Sequence, residues 1–184
     1  LDTLHYQYKH KNVSLVPYDF EPSPKHWYFD PDVTALNSWG IFTLSPETEE
    51  KALKEAIAAR KIIMWKIYLA AEGKEIWVGN VSIQSLDWVN RSAEFAILIG
   101  EKEYWGNGIA SSALLLCMEH VFEKLAFRRF WSGTSELNIG MRKVFEKQKW
   151  VKEGIFRSAK FTKGKEVDII EYSILSAEYF TYVK

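Results

Sequence analysis

Apolar and polar positions change their period several times along this chain, and each change marks an element. Residues 12–18, NVSLVPY, alternate as a half-buried strand does. Two prolines in EPSPK, residues 21–25, predict a loop. Ser45-Pro46-Glu47-Thr48-Glu49-Glu50 has a capping serine, a proline at the first helical position and acids in the first turn, so it starts a helix that runs to about Arg60. Lys61–Ala71 and Glu75–Asp87 read as strands joined by the turn Ala71-Glu72-Gly73-Lys74. Ser92–Ile99 is the third strand of that antiparallel set. Ile109, Ala113, Leu116, Cys117, Val121 and Leu125 share one helical face, which predicts a long helix over Ile109–Lys124 with His120 on the same face. Phe127–Ser135 is a strand and Asn138–Gln148 a helix. Val151–Lys163 and Glu166–Leu175 form a closing hairpin around Gly164-Lys165. Residues 26–44 hold no single period, and Asp30-Pro31 there predicts a turn or a helix start.

Strands outnumber helices, and one strand–helix–strand crossover lies mid-chain. The expected fold is α/β (mixed α+β): a mostly antiparallel twisted sheet with helices on both faces. The 184 residues suit a single domain, 1–184, with a sizeable core. Hydrophobic residues make up 47%, which excludes a disordered chain. Lys and Arg (24) balance Asp and Glu (24), so no basic excess points to nucleic acid or an anionic membrane. The single cysteine makes no internal disulfide, and no signal-peptide pattern or apolar run of about 18 residues is present; a cytoplasmic protein is expected.

The chemistry concentrates in Ala93–Leu116, AEFAILIGEKEYWGNGIASSALLL. A buried strand passes through a turn into Gly106 and Gly108, which stand at the mouth of a helix. Free N–H groups of a first helical turn, the helix dipole and glycines that allow close approach together make a phosphate cradle. Ser111 and Ser112 would add hydroxyl donors. No GKS or GKT follows, so this is not a Walker loop. Ser111 fills the third glycine position of a dinucleotide fingerprint, so it is not that loop either.

Glu103-Tyr104-Trp105-Gly106-Asn107-Gly108 resembles the acetyl-CoA loop of the GNAT N-acetyltransferases, Q/R-x-x-G-x-G/A, and the longer EYWGNGIASSAL resembles the RimJ/RimL-type branch, which includes spermidine acetyltransferases. Asn138 to Trp150, NIGMRKVFEKQKW, resembles the family segment N-x-x-A-x-x-x-Y-E-K-x-G-F. The resemblance covers residues 75–175 well and residues 1–60 poorly. It implies a GNAT fold in which the parallel strands Ser92–Ile99 and Phe127–Ser135 splay apart and admit the pantetheine of acetyl-CoA. It implies acetyl transfer to a primary amine: of a polyamine, an amino sugar or sugar nucleotide, or a protein N-terminus.

Several roles follow from the resemblance. Trp105, Gly106, Asn107, Gly108, Ile109, Ala110 and Ser111 would surround the pyrophosphate. Edge groups of Ile97, Leu98 and Ile99 would pair with the pantetheine, and an amide near Leu98 would polarise the thioester carbonyl. Arg142 or Lys143 would meet a phosphate, or else be ordinary solvated charges. Asn138 would bind pantetheine or order a water, and it also suits a helix cap. Glu94, a carboxylate in an apolar strand, is the candidate general base; it would otherwise face solvent or pair with the substrate's ammonium. Trp27, Tyr28 and Trp39, with Asp30 and Asp32, would receive an amine or stack on a sugar or nucleotide ring, or simply pack the first helix on the sheet.

Phe145 stands where many of these enzymes carry the tyrosine that protonates the thiolate, so that acid is missing; Tyr104 and Tyr172 are the remaining candidates. Met141, Lys149 and Trp150 replace the pattern's Ala, Gly and Phe, and Glu103 replaces Q/R. Phe145 also favours a competing reading, a non-catalytic acyl-CoA-binding module. Cys117 is expected to be buried, and the histidines lack ligand spacing, so no metal is expected. The aromatic final hairpin and tail suit a homodimer, which a monomeric mass in sedimentation at high concentration would exclude.

Overall fold

The computed structural model describes residues 8–20, 26–36, 46–162 and 164–183. Among the described residues eight strands form one sheet: β1 (Tyr8–His10), β2 (Val13–Pro17), β3 (Ile63–Ala71), β4 (Lys74–Asp87), β5 (Ser92–Ile99), β6 (Arg129–Ser135), β7 (Val151–Thr162) and β8 (Lys165–Leu175). Their spatial order is β1-β2-β3-β4-β5-β6-β8-β7. Every neighbouring pair is antiparallel except β5–β6. The helices are α1 (His26–Phe29), α2 (Pro46–Ala58), α3 (Ile109–Glu119) and α4 (Ile139–Lys147), with a short tail turn from Ser176. The mixed, mostly antiparallel sheet expected from the sequence is therefore present.

Alternation decides what each face of the sheet carries. Val81, Ile83, Ala93, Phe95, Phe130, Ile170, Tyr172 and Ile174 point to the side covered by α3 and α4 and are almost fully buried. There Phe145 of α4 stacks on Tyr172 (ring centroids 5.1 Å, 27°) and packs on Trp150 (4.8 Å), which also meets Phe130 (5.3 Å). Such aromatic contacts contribute about 0.5–1.5 kcal/mol each beyond the area they bury. Cys117 is fully buried within this layer, and burial pushes its thiol well above the ordinary range.

Two differences from the sequence reading have physical causes. The long helix keeps α geometry only to Glu119. His120–Lys124 then form a π turn, in which Leu125 N–H bonds to His120 O at 3.0 Å. The widened turn lets both Val121 and Phe122 bury, while His120 Nδ1 meets the Tyr8 hydroxyl at 2.6 Å. β1 is too short to show a period; its pairing with β2 places it (Tyr8 opposite Leu15). At the other edge β7 leaves Ile155, Phe156 and Phe161 exposed, as are Phe180 and Tyr182 in the tail. Among the described residues no helix is long and apolar enough to cross a membrane.

Candidate active site

β5 and β6 are parallel neighbours for three rungs only: Ser92–Arg129, Ala93–Phe130 and Glu94–Trp131. Beyond Glu94 the strands part. Ser132 Oγ bridges the start of the gap by donating to Phe95 O at 2.9 Å. Gly100 N–H bonds to Val78 O of β4 at 2.9 Å, which sets the phase of β5. Even-numbered peptides of β5 then face β4, and odd-numbered ones face the gap. The main-chain groups of Ile97 and Ile99 are thus on the free edge. Leu98 is a correction to the sequence reading: its amide faces Asn80 of β4, with which it is in register, so the gap-facing amide belongs to its neighbours. Trp105 folds back over this edge, its Nε1 donating to Ile99 O at 2.9 Å.

The glycine loop lies one turn beyond the strand. Gly106 (φ 82°) and Gly108 (φ 77°) hold left-handed backbone that favours glycine, and a Cβ at either position would meet nothing within 4 Å. Gly108 also caps α3. Ser112 N–H is bonded to Gly108 O at 3.0 Å, so the N–H groups of Ile109, Ala110 and Ser111 precede the first intrahelical bond. Gln148 Nε2 donates to Ser111 Oγ at 2.6 Å, leaving the serine's own hydrogen to donate elsewhere. Ser112, expected as a second hydroxyl donor, is instead buried with its Oγ 3.1 Å from His10 Nδ1. The open space, left-handed glycines and free amides fit a pyrophosphate; the free strand edge fits an extended pantetheine.

α4 borders the same gap. Asn138 caps it, Oδ1 accepting from Met141 N–H at 3.1 Å. Arg142 is committed to Glu136 O at 3.1 Å, whereas Lys143 is exposed. Phe145 is fully buried, and Tyr172 lies under it with its hydroxyl toward Glu146 Oε1 at 3.4 Å. Desolvation first, and the Glu103 carboxylate second, push the Tyr104 phenol upward, making it a weaker acid.

The opposite face of β5, β6 and β8 carries charge. Glu94 accepts from Ser85 Oγ at 2.8 Å. Arg129 donates through Nη1 to Glu153 Oε1 at 2.7 Å and is also bonded to Ser173 Oγ at 3.2 Å. Glu171 of β8 stands opposite Gly133 of β6. Sequence reading missed Arg129, Glu153 and Glu171, because only the β6–β8–β7 pairing brings them beside Glu94. The one available signal was a glutamate in the apolar run IIEYSIL.

α1 lies on this charged face. Trp27 is 1% exposed, its Nε1 donates to Glu101 Oε1 at 2.8 Å, and its ring fills the place of a Cβ on Gly100. It packs α1 on the sheet and does not line an open site. Tyr28 OH accepts from Asn80 Nδ2 at 3.2 Å. Asp30 and Asp32, expected near an amine, both hold Lys102 Nζ (2.8 and 2.9 Å). Trp39 lies outside the described residues.

The sequence profile of the acetyltransferase (GNAT) domain matches residues 13–150, three quarters of the chain. The chain belongs to the GNAT acetyltransferase family. It is 33% identical over 101 residues to the putative ribosomal N-acetyltransferase YdaF of Bacillus subtilis, a match covering 55% of either protein. The chain thus spans about half the length of this curated relative. Solved structures share the fold, two of them named acetyltransferases. Mutant forms of the spermidine/spermine N-acetyltransferase SpeG from Vibrio cholerae superpose with a TM-score of 0.80 at 18% identity, covering 94% of this chain and 99% of that one. RimL, a ribosomal protein N-acetyltransferase in complex with coenzyme A, gives 0.77 at 18% identity, covering 90% and 95%.

Proposed function

We propose that this GNAT chain is an acetyl-CoA-dependent N-acetyltransferase whose acceptor is a primary amine. One observation carries the reading: β5 and β6 part directly ahead of the open N-terminus of α3, so a strand edge and a phosphate cradle are aligned on one extended ligand. Bound acetyl-CoA supplies an activated acetyl thioester. The N–H groups of Ile109, Ala110 and Ser111, reached past Gly106, Asn107 and Gly108, hold its pyrophosphate. Ile97 and Ile99 hold the pantetheine along β5, Trp105 covers it, Asn138 borders it from α4, and Lys143 meets a phosphate. Glu94 takes the acceptor's ammonium at the mouth of the gap, with Tyr28 further along that face.

A polyamine, an amino sugar and a protein N-terminus all present the required ammonium. The polyamine reading draws support from SpeG and the N-terminal reading from YdaF and RimL. The buried Phe145 also supports a second reading, an acyl-CoA-binding module without turnover. The test is calorimetric titration of acetyl-CoA into the wild type and Gly108→Asp, followed by thiol release with spermidine, glucosamine and a peptide with a free N-terminus. Tight binding is expected, with a loss of about 100-fold or more when a carboxylate is placed at the helix mouth. Binding without thiol release from any amine supports the module; no binding by the wild type refutes both.

A further inference from the structure

A Cβ on Gly133 would lie 2.4 Å from Glu171 Oε1. The glutamate therefore occupies the space that a side chain on β6 would fill, over the strand that borders the gap. At this level β6 has no partner on that side, because the last β5–β6 rung is Glu94–Trp131. The carboxylate thus stands over the β6 border of the gap, as Glu94 stands at the last rung on its β5 border. The two differ in what holds them. Glu94 accepts the Ser85 hydroxyl, and Glu153 is clamped by Arg129 and by Ser173 Oγ at 2.7 Å. Glu171 has no hydrogen bond or ion pair among the described residues.

Resting on the acetyl-transfer reading above, we propose that Glu171 is the general base, its carboxylate taking a proton from the acceptor ammonium that Glu94 orients. The transfer converts R–NH3+ and a carboxylate into R–NH2 and a carboxylic acid. The freed lone pair forms the nitrogen–carbon bond as the thioester carbon–sulfur bond breaks. The sulfur leaves with that bonding pair and takes the nitrogen's remaining surplus proton, so no separate acid is needed where Phe145 stands. Glu171 then returns its proton to water.

The charges facing Glu171 fit the role. Burial first, then Glu94 from β5 and Glu153 from β7, raise its affinity for protons, and Arg129 from β6 opposes them. A carboxylate raised toward the working pH is a better base than a solvated one.

Glu171→Gln and Gly133→Ala test this, with kcat and kcat/KM followed against pH using whichever of spermidine, glucosamine or the peptide reacts fastest. Glu171→Gln is expected to lower kcat about 100-fold or more and to remove the acid limb of the profile. Acetyl-CoA affinity by calorimetry should be unchanged. Its melting temperature at pH 7 should equal or exceed the wild type's, because an uncompensated, half-buried charge has gone. Gly133→Ala keeps the glutamate but displaces its carboxylate, and should lower kcat in the same direction. A Glu171→Gln enzyme with wild-type kcat and an intact acid limb overturns the base while leaving acetyl transfer standing. A loss shared equally by acetyl-CoA affinity overturns it as well. A wild type that releases no thiol with any of the amines refutes the transferase reading, and the base falls with it.

Discussion

The two sides of the splayed strands are built differently. On the proposed cofactor side the groups are main-chain amides, delivered by one contiguous stretch from Ile97 to Ser111. On the proposed acceptor side they are carboxylates from three strands: Glu94 on β5, Glu153 on β7 and Glu171 on β8. A main-chain cradle depends on φ angles, which only glycine supplies cheaply, and it tolerates any side chain that leaves the loop open. A carboxylate face depends on identity and charge at each position. In the proposed reaction the cofactor side thus suits one unchanging ligand, and substitution on the acceptor side resets the substrate.

If the sides are separable, an acceptor-side change must leave acetyl-CoA affinity alone. Glu94→Gln tests this most directly. Turnover should fall about 10- to 100-fold, as removal of a group acting on the reacting proton does. The acid limb of the pH profile should also move to lower pH, since Glu94 is a neighbouring charge that raises proton affinity at Glu171. A fall in acetyl-CoA affinity matching the fall in turnover would break the division into two sides.

The same division explains what the sequence made legible. Strand-loop-helix punctuation lies along the chain, so the glycine cradle, the α3 start at Ile109 and the strand Ser92–Ile99 could all be read locally, whereas its parting from β6 was implied only by the family resemblance. The phase of β5 could not, because Gly100 N–H to Val78 O decides it, and this turned Leu98 away from the gap. The role of Glu171 was hidden for the same reason: beyond an acid in an apolar run, its meaning comes from standing opposite Gly133 on the paired strand. Trp27 looked like a ligand residue until Gly100 supplied a seat that only a missing Cβ leaves.

The next effect is on stability and belongs to the cofactor side. Lys149 replaces the family's glycine at the end of α4. Yet the turn ending α4 is intact: Trp150 N–H bonds to Phe145 O at 2.9 Å and Lys149 N–H to Glu146 O at 3.1 Å, the two bonds of a Schellman cap. Lys149 accepts φ 65° to make it. A left-handed non-glycine residue costs about 1–2 kcal/mol. Lys149→Gly should recover about 1 kcal/mol and raise the melting temperature by about 2–4 °C, with turnover and its pH profile unchanged. A shifted profile would mean that α4 couples the two sides.

The smallest stability effect lies at the clamp beside Glu171. Hydrogen bonding from Arg129 comes first among the causes that lower the Glu153 carboxyl from 4.5 to about 2, with Ser173 assisting against the cost of burial. A depressed carboxyl stabilises the fold above its unfolded value and loses that contribution as pH falls from 4.5 toward 2. The Glu153 side chain is 39% exposed, so solvent screening holds the pair below about 1 kcal/mol. Glu153→Gln should therefore melt only about 1–3 °C below the wild type at pH 7 and coincide with it near pH 2. Its effect on rate is more informative. Without Glu153, Arg129 loses its carboxylate partner and turns its charge on Glu171, which lowers the proton affinity there. A small stability change with a clear acid shift of the pH profile is the expected result. An unmoved profile would mean that Arg129 and Glu153 only fasten β6 to β7, and that the acceptor side is narrowed to Glu94 and Glu171.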